Sequence, residues 1–188
     1  QEHYVSDMQC YGINVVLVDS YNEIEDILLS IRDKVYEKNI LISGSYDDGD
    51  QISSRITTIT TSLVSFLVQK GYKIITGYGK NLGANITDGA YDGWTKVNKK
   101  VKDFNNALQI FTFPYRQRKT EARDKLYTDI RKHMVSLTKV SIIIAGTNNR
   151  RNSQGVYEEY ELSNSENHLI IPIATTGGAA RLIWDELN

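Results

Sequence analysis

Apolar positions along this chain recur with two periods. Helical spacing joins Ile24, Ile27, Leu28, Ile31 and Val35 behind a Ser20 to Glu23 capping box, which predicts a helix over about 21–38. The same period in Ile52, Ile56, Ile59, Leu63 and Phe66 predicts a helix over about 52–69, and in Ala122, Leu126, Ile130 and Met134 one over about 120–136. Short apolar runs bounded by turn residues read as strands: Ile13–Val18, Asn39–Ser43, Tyr72–Thr76, Ala107–Phe113, Val140–Ala145 and His168–Ala174. Further helices leave the turn Gly77–Gly83 to end near Val97, begin near Gly155, and close the chain with Leu182, Ile183 and Leu187. The row Thr57, Thr58, Thr60, Thr61 has low helix propensity, so the second helix must lean on tertiary contacts.

Strand and helix alternate throughout. The fold class expected is therefore α/β: a Rossmann-like three-layer arrangement with a mainly parallel central sheet and right-handed crossovers. Residues 1–12 read as a polar and aromatic lead-in, and 13–188 as a single ligand-binding domain. Within it, 13–38 forms an edge strand–helix extension or part of a contact with another segment. The connector 98–106 is charged, and its lysines are expected to face water.

Composition narrows the chemistry. The chain has 188 residues, 40% of them hydrophobic and 24% charged, enough for one full-sized core. A net charge of −1 argues against a general nucleic-acid surface and leaves room for a small basic pocket. Cys10 is the sole cysteine, and His3, His133 and His168 match no metal-ligand spacing, so no metal is expected. No signal peptide or membrane-spanning run is visible, which points to a cytoplasmic location. Gln1 is not a natural start, so a processed product or a fragment of something longer is expected.

Candidate chemistry gathers where strands end. In a parallel sheet the carboxyl edge is where ligands bind, and helix-start amides there favour anions. Gly44 and Ser45, followed by Asp47 and Asp48, offer a close backbone approach and a hydroxyl donor, or simply a tight turn with solvent-facing aspartates. The turn Gly77, Tyr78, Gly79, Lys80, Asn81, Leu82, Gly83 is neither the dinucleotide fingerprint nor a P-loop, yet it permits the approach of an anion or ring. After Pro114 come Tyr115, Arg116, Gln117, Arg118 and Lys119, a cationic clamp for phosphates or a solvated charge run. Arg131, Lys132 and His133 rank lower, because the far end of their helix is expected to point away from the pocket. The loop 146–154 carries Arg150, Arg151 and Gln154, and closes on Gly155, Glu158 and Glu159 at a helix start. Thr176, Gly177 and Gly178 make the last exit. No serine–histidine pair or GxSxG elbow is visible.

Together LISGS at 41–45, GYKIITGYGKNLGANITDGA at 71–90, FPYRQ at 113–117, AGT…SQGVYEEY at 145–160 and IPIATTGGAA at 171–180 resemble the SLOG superfamily. That superfamily includes the cytokinin-activating LOG enzymes and the Smf/DprA proteins. More narrowly, the chain resembles the SLOG domain associated with sirtuin and TIR modules in bacterial Thoeris anti-phage effectors. The resemblance implies a sensor of a cyclic ADP-ribose isomer made by a TIR-domain protein. Binding would rearrange a homo-oligomer and release NAD cleavage by a fused sirtuin-like domain, with no catalysis, cofactor, nucleic acid or membrane involved in this domain itself. It places Glu159 on the glutamate of the LOG motif PGGxGTxxE and points to Arg116 as a ligand contact; the contacting lysine stays open between Lys80, Lys119 and Lys132. The PGG is absent here, which counts against the alternative, a LOG-like N-glycosidic hydrolase. Balanced charge counts against a DNA-binding module of the Smf/DprA kind.

Overall fold

A computed structural model describes residues 20–47, 52–97, 100–114, 118–146 and 154–188, with Met8, Cys10, Tyr11, Val15 and Val18. The chain divides into two compact units, residues 1–35 and 36–188. In the first, helix α1 (Tyr21–Tyr36) starts at Ser20, whose hydroxyl donates to Glu23 at 3.3 Å, and none of its residues is buried. The expected strand at 13–18 lies largely outside the described residues; Val15 and Val18, which are described, belong to no strand.

The second unit is a five-stranded parallel sheet with helices on both faces. Its strands are β1 (Asn39–Ser45), β2 (Lys73–Thr76), β3 (Leu108–Ile110), β4 (Val140–Ala145) and β5 (Leu169–Ile173), in the order β3-β2-β1-β4-β5. The helices are α2 (Ser53–Gln69), α3 (Leu82–Val97), α4 (Glu121–Ser136), α5 (Gln154–Ser165) and α6 (Gly178–Leu187). Ile40, Ile42, Ile74, Ile142 and Ile144 point to one face and are covered by Ile56, Val64 and Val68 of α2 and Leu82, Ile86 and Ala90 of α3. Leu41 and Ile75 point to the other, against Met134 and Val135 of α4. There Ile143 meets Val156 of α5 and Ala179, Ala180 and Ile183 of α6.

Tertiary contact holds the threonine-rich α2, as its propensities require. A Cβ on Gly89 would sit 2.6 Å from the Thr61 carbonyl oxygen, so α3 lies directly on the α2 backbone. The strand expected at 107–113 shortens to Leu108–Ile110 for a simple reason. Its partner β2 ends at Thr76, which pairs with Ile110, and the last bond runs from Phe111 N–H to the Thr76 carbonyl at 2.9 Å. The connector folds into a 3-10 helix, Val101–Asn106, with Phe104 edge-on to Tyr91 and Trp94. From β1 the chain builds outward to β2 and β3, then returns to the far side for β4 and β5. β1 and β4 are therefore neighbours whose connections diverge, the place where a parallel sheet opens a crevice at its carboxyl edge.

Candidate functional site

Backbone crowding shapes that crevice. Gly44 has φ +151°, and a Cβ there would lie 1.8 Å from the Ile144 carbonyl oxygen. A Cβ on Gly79 would lie 1.9 Å from the Gly44 carbonyl oxygen. Three strand exits thus touch main chain to main chain, and no side chain fits between them. Tyr46 N–H donates to the Lys80 carbonyl, the Asn81 amide donates to the Tyr46 carbonyl at 2.9 Å, and Gly146 N–H donates to the Ser45 carbonyl at 2.7 Å. These contacts and hydrogen bonds join the exits into one frame.

Inside the frame is a cavity of about 250 Å³. Ser43, Gly44 and Ser45 from β1, with Gly77, Gly79 and Lys80 after β2, form one wall. Phe113, Tyr127, Arg131, Gly155 and Glu159 form the other. Arg131 Nη1 donates to Glu158 Oε2 at 2.8 Å, and the Thr128 hydroxyl donates to Glu158 Oε1 at 2.5 Å, so Glu158 bridges α4 and α5. Arg131 Nε lies 3.6 Å from Glu159 Oε1, too far for a hydrogen bond, and is buried without a partner. The guanidinium also lies over the rings of Phe113, at 4.9 Å, and Tyr127, at 5.8 Å. Gly155 makes room for it: a Cβ there would be 2.8 Å from Arg131 Nη2. Lys80 pairs with Asp47 at 2.6 Å on the exposed rim.

Glu159 is buried, and that burial pushes its carboxyl above the ordinary value; the Ser43 hydroxyl and Arg131 oppose the shift, and Glu158 adds to it. Ser43 Oγ faces this carboxyl but completes no hydrogen bond of ordinary geometry. The cavity therefore holds two unspent buried polar atoms beside a carboxyl that is reluctant to ionise.

Of the residues singled out in the sequence, Gly44, Ser45, Gly77, Gly79, Lys80, Gly155 and Glu159 meet in this cavity. Others do not line it. Tyr78 is exposed and its ring lies over Gly83; the Asn81 amide is spent on Tyr46; Gln154 is exposed at the start of α5. Thr176 is buried, its oxygen accepting from Ala145 N–H at 2.7 Å while its hydroxyl donates to the Ile173 carbonyl at 2.6 Å. A Cβ on Gly178 would lie 1.7 Å from the Gly146 carbonyl oxygen, so Thr176, Gly177 and Gly178 serve to lock β5 and α6 against the end of β4. Arg118 and Lys119 are exposed. Asp48, Tyr115, Arg116, Gln117, Arg150 and Arg151 lie outside the described residues.

Arg131 corrects the expectation that its helix leads away. The first buried residues of α4 are Met134 and Val135, which pack on Leu41 and Ile75, whereas Ala122 and Leu126 are exposed. The opening turns of α4 stand beyond the sheet, which leaves Arg131, one turn before Met134, level with the strand ends. Sequence reasoning also missed Tyr127 and Ser43. A serine inside the apolar run Asn39–Ser43 was the available signal, and so was the four-residue spacing of Tyr127 and Arg131 on one helix face. A serine–histidine contact does exist: His168 Nδ1 lies 3.2 Å from Ser141 Oγ. Ser141 is 1% exposed and also bonds Ser163, at the opposite end of the sheet, so the contact is internal packing.

The family model described as Sir2- and TIR-associating SLOG matches residues 23–188. The chain belongs to that family. This SLOG domain is 30% identical over 190 residues to NAD(+) hydrolase ThsA of Enterococcus faecium, covering 98% of this chain and 38% of that protein. It is 25% identical to NAD(+) hydrolase ThsA of Bacillus cereus strain MSX-D12, over the whole chain and 39% of that protein. The protein of the same name from Cytobacillus dafuensis is 30% identical, over 99% of this chain and 39% of its own length. The chain spans about two fifths of the length of these curated relatives. In fold, the SLOG domain resembles the X-ray structure of the structural-genomics target TM1055, with a TM-score of 0.54 and 15% identity over 77% of this chain and 79% of that one. Among the described residues no group of three or more His, Cys, Asp or Glu could hold a metal ion, and no helix is long and apolar enough to cross a membrane.

Proposed function

We propose that this SLOG domain is the sensing part of an anti-phage defence protein. It binds a cyclic ADP-ribose isomer supplied by a TIR-domain protein, and its occupation activates an NAD-cleaving, sirtuin-like part of the same polypeptide within a homo-oligomer. The observation that carries this reading is Arg131, a part-buried guanidinium whose buried Nε is unspent, set between two carboxylates at the sheet's switch point. A pyrophosphate would take that Nε and the backbone donors around Gly44 and Gly79, and ribose hydroxyls would meet Glu159 and Ser43. At about 250 Å³ the cavity among the described residues lies just below the ~300–1,000 Å³ of whole-ligand pockets, a size that suits the phosphates and a sugar. Relatives named NAD(+) hydrolase support the link to NAD chemistry elsewhere in the parent protein.

Calorimetric titration of the folded domain with cyclic ADP-ribose and its linkage isomers tests the reading. Binding by one of them, abolished in Arg131→Met, is the expected result; no heat with any isomer overturns it. Removal of Arg116 should weaken binding by roughly 2–4 kcal/mol, as loss of a charge partner does. One observation favours a second reading, a nucleotide N-glycosidic hydrolase of the LOG kind. A carboxyl held toward its protonated form, as Glu159 is, suits a general acid. Release of free base from a nucleoside monophosphate would establish that activity.

A further inference from the structure

We propose that the ligand enters this cavity together with one proton, which Glu159 takes up, so that the carboxyl donates a hydrogen bond to a ligand oxygen instead of accepting one. The inference rests on the sensing reading and adds the ionic form in which the site works. Its basis is the distribution of charge around Glu159. Among the described residues, Arg131 faces it from α4, the Ser43 hydroxyl from β1, and Glu158 from its own helix. Arg131 is already engaged with Glu158 at 2.8 Å, and offers Glu159 nothing closer than 3.6 Å. Lys80, the other described cation of the cavity, is engaged with Asp47 at 2.6 Å. Among the described residues two cations thus stand against three carboxylates, and the one whose cation stays beyond hydrogen-bond distance is the most deeply buried.

A second negative charge placed beside such a group penalises its ionised form. The penalty disappears if the carboxyl takes a proton. Arg131 then faces the ligand's phosphate with a single competing carboxylate, Glu158, while the neutral acid and the unpartnered Ser43 Oγ supply donors to the floor of the cavity. The burial that already holds Glu159 above the ordinary carboxylate value acts in the same direction.

The sign of the pH dependence separates this from an ionised Glu159 that accepts from sugar hydroxyls. The folded domain is titrated with cyclic ADP-ribose and its linkage isomers between about pH 5.5 and 7.5, in cacodylate and in imidazole. These two buffers differ in ionisation enthalpy. Affinity is expected to weaken with rising pH, approaching about tenfold per unit once the free carboxyl ionises. Heats should differ between the buffers by the enthalpy of close to one proton taken up. Glu159→Gln, checked for folding by circular dichroism, should bind with an affinity independent of pH and of buffer. Binding that is flat or tightens with pH overturns the inference and leaves the sensing reading standing, as does buffer dependence that survives in Glu159→Gln. Failure of every isomer to bind overturns both.

Discussion

At the scale of the residue, the glycines of this domain serve two different ends. Gly155 leaves space for a side chain, the Arg131 guanidinium, whereas Gly44 and Gly79 leave space for main chain. A methyl group on Gly79 would have to displace the Gly44 carbonyl and with it the end of β1. Gly79→Ala should therefore cost about 3 kcal/mol, at the upper end of overpacking penalties, and lower the melting temperature by on the order of 10 °C. Calorimetric melting checks this; an unchanged melting temperature would mean that the exits are not in contact. Arg131→Met should be costly in another way. It leaves the part-buried Glu158 without its ion-pair partner, a loss of about 3 kcal/mol at pH 7, and it should abolish ligand binding. Chemical denaturation measures the first and titration the second. The glycine-rich exits were legible in the sequence because glycine has few other reasons to recur at strand ends. Arg131 was not, because its place depends on how far α4 stands beyond the sheet, which only the packing of Met134 on Leu41 and Ile75 decides.

At the scale of elements, α4 and α5 are joined across the cavity by one hydrogen-bonded chain, Thr128 to Glu158 to Arg131. Neither helix buries a broad apolar face: α4 buries only Met134 and Val135, and α5 only Val156 and Tyr157 among its apolar residues. The polar bridge thus acts beside the packing of Ile130 and Leu162 around Met134 and Val135 in fixing their spacing. Thr128→Val keeps the shape and removes the donor to a charged carboxylate, a loss of about 1.5–3 kcal/mol. Combined with Glu158→Gln in a double-mutant cycle, the two changes should couple by about 1 kcal/mol or more in stability. Strict additivity would show that the bridge is not a unit. Periodicity placed α2 and α4, although Ala122 and Leu126 on α4 are exposed and the buried face of α2 runs through Ile56, Thr60, Val64 and Val68; α3 and α5 were placed by the glycines at their starts. The apolar run overran β3, an edge strand whose length is set by its neighbour β2 and not by its own apolar residues.

At the scale of the whole domain, two ionisable groups at opposite ends of the sheet tie stability to pH in opposite directions. Glu159 has a folded-state value raised by burial. Its contribution is fully present below the ordinary carboxylate value of 4.5 and is lost as pH climbs through the raised folded value. His168 has a folded-state value lowered, first by burial and then by Lys139, with Glu166 opposing. The unfolded chain takes up that proton more readily, so stability is lost as pH falls from 6.5 through the lowered value. The two losses belong to different residues and can be removed one at a time. Glu159→Gln should raise the melting temperature relative to the parent at pH 7–8 and bring no such gain near pH 4. His168→Gln should flatten the acid limb below pH 6.5, because a neutral amide can keep the bond to Ser141 without titrating. A grid of melting temperatures for the parent, each variant and the pair, at half-unit pH steps, separates the contributions. The sites share no partner and lie at opposite strand ends, so their effects should add. An acid limb unchanged in His168→Gln would place the acid-sensitive group elsewhere in the domain. A Glu159→Gln variant less stable than the parent at pH 7–8 would show that the ionised carboxyl stabilises the fold, and that the cavity is built around a charge.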